Sequence, residues 1–327
     1  MSTVSLIATV RDEPIERIAR LVDSVRAQGI EELELLIAAP PTDRDQYVAA
    51  RSVDWPAWLR FVDNPTGRRS DGLNAAIAMA SGRLVCRVDA RSMLPADYVQ
   101  RCSRRLDDDP GIGVVGGHQI PMPVEPTATA AGIARGLANR FALGGSGYRN
   151  PAVSGVVETV YLGAWRRSEL LDIGGFDSAL DANEDFELCQ RYRDRGFTVW
   201  LEPETDVAYE PRTDLVAVWR QYRAFGASKV RFWRNTGRRP NGRQTAALLA
   251  AVGAGIVSAA SMRTAPVSST IVALTLLLVA LGAVDEAGSS TPASPGVRVM
   301  AGAAILTAWT GWLIGITSES LKGVVRR

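Results

Sequence analysis

The sequence predicts an α/β domain built on a mostly parallel central sheet with helices on both faces, followed by apolar C-terminal helices. Three observations predict it. Val4 to Val10 is a β-branched and apolar run, Ile15, Ile18, Leu21, Val22 and Val25 then recur at helical spacing, and Leu33 to Ala38 reads as a second strand. Strand, helix and strand on short links form the unit from which a helix-covered parallel sheet is made. Farther on, Val267 to Val284 and Val297 to Ile316 are 18 and 20 residues of nearly uninterrupted apolar sequence. As helices they are about 27 and 30 Å long, the thickness of a bilayer's hydrocarbon core.

Taken in order, Pro14 suits the first turn of the first helix and Gly29 its stop. Ligands of open sheets bind beyond the carboxyl ends of the strands, which puts Arg11, Asp12 and Glu13 at the ligand edge. Gly67, Arg68 and Arg69 form a loop before a small-residue helix, Leu73 to Ala80, that Gly82 stops. Two Arg side chains beside a helix N-terminus suit phosphate oxygens, although most basic loops are simply solvated. The strand Leu84 to Val88 runs into Asp89, at the same edge as Asp12. An Asp there either starts a turn or holds a divalent cation against a diphosphate through hard oxygen ligands. Gly111 to Gly117 reads as a strand, and Glu125 to Asn150 as an unpatterned loop with a short helix. His118 is the only histidine and reads as structural, with no Cys or second His near it. Val156 to Leu162 is expected as a strand, Ala164 to Leu171 as a helix, and Thr198 to Leu201 and Val207 to Tyr209 as two short strands closing the sheet.

The stretch Asp181 to Gly196 follows a Gly174-Gly175-Phe176-Asp177 turn and places Glu184 and Asp185 ahead of a helical pattern of Leu188, Cys189 and Tyr192. With Asn183 at the N-cap, Asp185 falls in the first turn, where unpaired N–H groups and the helix dipole favour an ionised carboxylate. A general base needs that property. The same acids also serve simply to complement the dipole.

Global charge, +2 from 37 basic and 35 acidic residues, points to no nucleic-acid partner. Cys86, Cys102 and Cys189 are scattered, which argues against a disulfide framework and a zinc site. The start, MSTVSLIATVRDE, lacks the basic and apolar regions of a signal peptide, so the bulk of the protein is expected in the cytoplasm.

Seven motifs now stand in order. They are VSLIATVRDE (Val4 to Glu13), NPTGRRSDGLNAAI (Asn64 to Ile77), RVDAR (Arg87 to Arg91), GGSGYR (Gly144 to Arg149), TVYLGAWRRSELLDIGGFD (Thr159 to Asp177), NEDFEL (Asn183 to Leu188) and RQYRAFGASKVR (Arg220 to Arg231). The set resembles the family 2 glycosyltransferases of GT-A fold, nearest to the bacterial exopolysaccharide, succinoglycan-type, membrane-anchored branch. The resemblance implies inverting transfer of a sugar from a nucleotide-sugar donor, with UDP the expected nucleotide. It implies that Asp185 is the base and that Glu184 positions the acceptor or the helix. It puts Val10, Arg11, Asp12, Glu13, Arg68, Arg69, Asn74, Asp89, Arg91, Gln221 and Arg223 around the donor. A divalent cation, Mn2+ or Mg2+, is implied at Asp89. The pattern departs at Arg91, where the family carries Asp or His; Arg cannot ligate a metal. Either Asp89 and Glu210 hold the cation, or Arg91 pairs with Glu210 and takes over charge neutralisation.

Eight Lys or Arg and no acid lie between Arg220 and Arg243, interleaved with aromatics. Set before apolar segments, they are expected at lipid headgroups and at the phosphates of a polyprenyl-linked saccharide acceptor. With Lys322, Arg326 and Arg327 also basic and residues 285–296 free of Lys and Arg, both flanks belong on the cytoplasmic side. The expected organisation is a cytoplasmic catalytic domain over residues 1–219, a juxtamembrane segment over 220–245, and a multi-pass inner-membrane region over 246–327. Ala246 to Ala260 is the third apolar stretch, expected in the interface. A homo-oligomer is compatible with all of this. Two rival readings are a polyprenyl-phosphate monosaccharide synthase and a non-catalytic scaffold of the same fold.

Overall fold

The computed structural model describes residues 4–50, 52–139, 147–180, 182–242 and 293–325, with short pieces at 244–245 and 248–249. These fall into two compact units, Met1–Ile120 with Ser146–Tyr209, and Pro121–Gly145 with Glu210–Arg327.

The first unit opens as the pattern predicts, with β1 (Val4–Thr9), α1 (Ile15–Arg26) and β2 (Leu33–Ala39). It continues through α2 (Pro41–Ala49), β3 (Leu59–Asp63), α3 (Arg69–Met79), β4 (Leu84–Arg87), β5 (Ser92–Met93), α4 (Tyr98–Asp108) and β6 (Ile112–Pro121). After the excursion that carries α5 (Ala128–Ala138) come β7 (Gly155–Val156), β8 (Tyr161–Arg166), α6 (Arg167–Asp172), α7 (Glu184–Asp194) and β9 (Thr198–Tyr209). Among the described residues the nine strands run β3-β2-β1-β4-β8-β6-β9-β5, with β7 on β9.

The sheet is mixed rather than mostly parallel. β3, β2, β1 and β4 are parallel, but β8 is antiparallel to both β4 and β6, and β5 and β7 are antiparallel to β9. Alternating side chains cover both faces. Leu6, Ala8, Leu35 and Ile37 join α1 and α4 in one core, and Ile7, Leu36 and Ala38 join α3, α6 and α7 in the other. Every residue of β2 is buried, so apolar residues occupy both of its faces; the exception is Glu34, whose carboxylate accepts from Ser5, Ser81 and Arg60.

Two expected elements moved. Trp165 and Arg166, expected on a helix, end β8, because Trp165 pairs with Val85 of β4 and is buried there. The two expected closing strands are one, β9, whose middle carries the polar residues Glu202, Glu204, Thr205 and Asp206 that broke the apolar pattern. His118 is buried, and its Nε2–H donates to the Val153 carbonyl at 2.8 Å.

The second unit packs α5 and α8 (Leu215–Thr236) along a long C-terminal helix, α9 (Pro295–Val325). Their core is Ile133, Leu137, Val218, Tyr222, Ala304 and Ala308. Gly226 of α8 sits on the Trp312 carbonyl and Gly315 of α9 on that of Arg223, so neither position has room for a Cβ. The registry continues to ion pairing between Arg231 and Glu319 at 3.3 Å, and to Arg234, which donates to the Ser320 carbonyl at 2.9 Å. Pro121–Gly145 belongs with Glu210–Arg327 in this unit because α5 packs on α9. Pro295–Lys322 is, among the described residues, one helix long and apolar enough to cross a membrane. Val267 to Val284, and nearly all of Ala246 to Ala260, lie outside the described residues.

Candidate active site

The parallel pairing of β1 with β2 and β4 brings three strand ends to one edge. Val10 is buried and donates its N–H to the Ala38 carbonyl at 2.9 Å. Beyond it, Asp12 has φ 53°, and its N–H donates to Asp43 Oδ2 at 2.8 Å. Arg11 Nη1 reaches the Gly67 carbonyl at 3.4 Å. Glu13 accepts from Arg91 Nε at 3.0 Å and Nη2 at 3.3 Å, and also from Arg17. Arg91 therefore pairs with Glu13 rather than with Glu210, the partner that one of the two alternatives gave it, because the end of β1 lies beside the turn after β4.

The loop before α3 and the turn before α7 are bound to each other. Arg68 donates to the Ser178 carbonyl, and Ser70 Oγ to that of Leu180 at 2.5 Å. Asn74 Nδ2 donates to the Phe176 carbonyl at 2.8 Å while its Oδ1 accepts the Phe176 N–H at 2.8 Å. Gly175, with φ 65°, passes so close that a Cβ would come 2.5 Å from Asn74 Oδ1. Asn74, expected at the cofactor, thus commits its amide to the turn that launches α7. Asn74→Ala is expected to destabilise the protein by about 1–3 kcal/mol, the cost of stranding buried polar groups, read as a lower urea midpoint.

Glu184 and Asp185 stand at the start of α7 with opposite surroundings. Glu184 is buried, receives Arg87 Nη1 at 3.0 Å and lies 3.5 Å from Arg69 Nη1. Asp185 is half-buried, and its Oδ1 accepts the Phe186 N–H at 2.7 Å. Asn183 occupies the N-cap in a left-handed conformation with no side-chain cap bond. The helix terminus was expected to favour the ionised form of Asp185. Burial and the negative charge of Glu184 instead raise its pKa above the usual Asp value, outweighing Arg87, the Phe186 N–H and Arg69.

Asp89, just past β4, is 26% exposed and meets Arg87 Nε and Nη2 through Oδ1 at 3.3 Å and Nη2 through Oδ2 at 3.4 Å. Beside it, Tyr161 shares a 2.6 Å hydrogen bond with Ser92 and packs between Tyr148 and Tyr209. Asp89 offers one carboxylate, the kind of hard oxygen ligand that divalent cations take. Among the described residues no group of three His, Cys, Asp or Glu forms a protein-only site.

The structure thus joins Asp89, Arg69, Glu184 and Asp185 in one cluster and places Arg91 with Glu13. Gln221, Arg223 and Glu210 belong to the second unit, the first two on α8, where the Arg223 guanidinium lies 5.5 Å over the Trp219 ring. Sequence reasoning missed Arg87. Arg87 left a signal: a lone charge inside the apolar strand Leu-Val-Cys-Arg-Val-Asp.

Residues 5–134 match the Glycosyl transferase family 2 model. A curated relative, the succinoglycan biosynthesis protein ExoA of Rhizobium meliloti (strain 1021), is 30% identical over 196 residues, covering 58% of this chain and 57% of that protein. The chain therefore spans a little over half of that relative's length. Among solved structures, the mannosyltransferase PcManGT from Pyrobaculum calidifontis in complex with GDP-Man and Mn2+ matches with a TM-score of 0.58. That match covers 95% of this chain and 87% of that one at 16% identity, and so speaks for the fold alone.

Proposed function

We propose that the protein, whose residues 5–134 match the Glycosyl transferase family 2 model on a GT-A-like α/β fold, is an inverting glycosyltransferase. It moves a hexose from a nucleoside-diphosphate donor, UDP first among the candidates, to a lipid-linked saccharide in extracellular polysaccharide synthesis. The observation that carries this reading is Asp185: a half-buried carboxylate of raised proton affinity beside Glu184, which Arg87 ties to Asp89. A base works best when its pKa approaches the working pH, so the rise strengthens Asp185 for the task.

Asp185 takes the proton of the acceptor hydroxyl, whose oxygen attacks the anomeric carbon as the nucleoside diphosphate departs. Arg69, 44% exposed at the head of α3, faces the charge that builds on the leaving group. Asp89 would hold a divalent cation there, which when bound supplies further neutralisation of the diphosphate. With Arg91 in place of a second ligand, that cation binds more weakly than in a two-ligand site.

Membrane association rests on the second unit. α9 is read as lying along α8, which it packs against, rather than crossing the bilayer. Gly311, about 24 Å from Pro295 and about 17 Å from Lys322 along the helix, touches the backbone at Trp219 and Arg223 of α8. If α9 crossed, the exposed Arg220 and Arg223 would stand near mid-bilayer, at about 2.5–3.5 kcal/mol each on insertion scales. Basic α8 then meets headgroups and the lipid phosphate of the acceptor.

The test is nucleotide release from a panel including UDP-glucose, UDP-galactose and GDP-mannose, with saccharide-lipid or polyprenyl phosphate as acceptor. Release that needs a sugar hydroxyl and falls in chelator supports the proposal. Transfer to polyprenyl phosphate alone points to the lipid-phosphate synthase, no release from any donor to a scaffold, and full activity in chelator removes the cation.

A further inference from the structure

We infer that Arg87 is a positioning residue, one buried guanidinium that sets the donor-side Asp89 and the Glu184–Asp185 pair in register; this rests on the transferase reading above. Arg87 is the last residue of β4 and only 5% exposed, so it acts on substrate through its neighbours. Its Nη1 holds Glu184 at 3.0 Å while Nε and Nη2 hold Asp89 at 3.3 to 3.4 Å. The two carboxylates are far apart in the chain, Glu184 being 97 residues from Arg87 and Asp89 only two. A planar fork of five donors can hold two carboxylates at a fixed angle, which a point charge cannot do. A buried cation with neither partner would be unfavourable by several kcal/mol, so the two carboxylates account for an Arg in an otherwise apolar strand. Arg69 reaches Glu184 more loosely, at 3.5 Å, and does not replace it.

The division of labour can be read in kinetics. Arg87→Lys keeps the charge, and its ammonium answers one carboxylate at a time. It is expected to melt within a few degrees of wild type, yet to raise donor KM and lower kcat, each by about tenfold, the worth of one well-placed interaction. Glu184→Gln, which leaves Asp89 in place, is expected to lower kcat with donor KM unchanged. UDP or GDP binding by calorimetry, whichever the wild type takes, gives the same split without turnover: weaker in Arg87→Lys, unchanged in Glu184→Gln. A purely structural Arg87 predicts kcat loss in proportion to unfolded protein with KM and binding constant unaltered. That result, or Arg87→Lys within twofold of wild type in both KM and binding, overturns the inference. Wild type that binds nucleotide with this split but transfers no sugar counts against the activity alone.

Discussion

Asp185→Asn is expected to lower sugar transfer by about 10²- to 10⁴-fold, the usual contribution of a placed general base, while nucleotide binding holds. Asn keeps the shape and can still accept the Phe186 N–H, but it cannot take a proton. Wild type should also show an acid limb in kcat/KM above the ordinary Asp value of about 3.9. The sign follows from the surroundings: burial and Glu184 favour the protonated form, so Asp185 is neutral and useless as a base below its raised pKa, and activity grows as pH rises through it. Glu184→Gln removes the neighbouring negative charge, and the limb should move to lower pH. A limb that stays in place in Glu184→Gln, or Asp185→Asn transferring at near wild-type rate, removes Asp185 from the role.

The second large effect is all or none. Single cysteines at Ser294, just before α9, and at Lys322, near its end, are expected to react with a membrane-impermeant maleimide from the same face of sealed vesicles of known orientation. Native thiols should stay silent. Cys86, Cys102 and Cys189 are all buried, and burial pushes Cys86 and Cys189 up to about 12. Labelling of Ser294→Cys only from the face opposite Lys322→Cys would make α9 a span and overturn its same-side placement. The expectation departs from the simplest hydropathy argument, in which Val297 to Ile316 crosses by its length. Hydropathy counts the helix's own side chains, whereas the exposed arginines beside it come from α8.

What could be read in advance depended on how local its cause was. The strand-helix-strand opening, the shared edge of Asp12 and Asp89, and the Glu184–Asp185 pair at a helix start all follow from spacing within short stretches. The direction of β8 did not, since nothing within Tyr161–Arg166 says which neighbour it will pair with. Asn74 looked like a ligand in a polar motif and proved to be a clasp on Phe176, 102 residues away. Arg91 found Glu13 rather than Glu210, 78 residues back along the chain.

By itself, then, the sequence determined the α/β class, the edge shared by Asp12 and Asp89, and the acidic pair at a helix start, because periodicity and strand ends are properties of neighbouring residues. Tertiary structure alone decided the proton affinity of Asp185, the clamp of Arg87 on two carboxylates and the company that α9 keeps. These depend on burial and on charges brought together from distant segments, and a carboxylate's affinity for its proton is set by whatever the fold places around it.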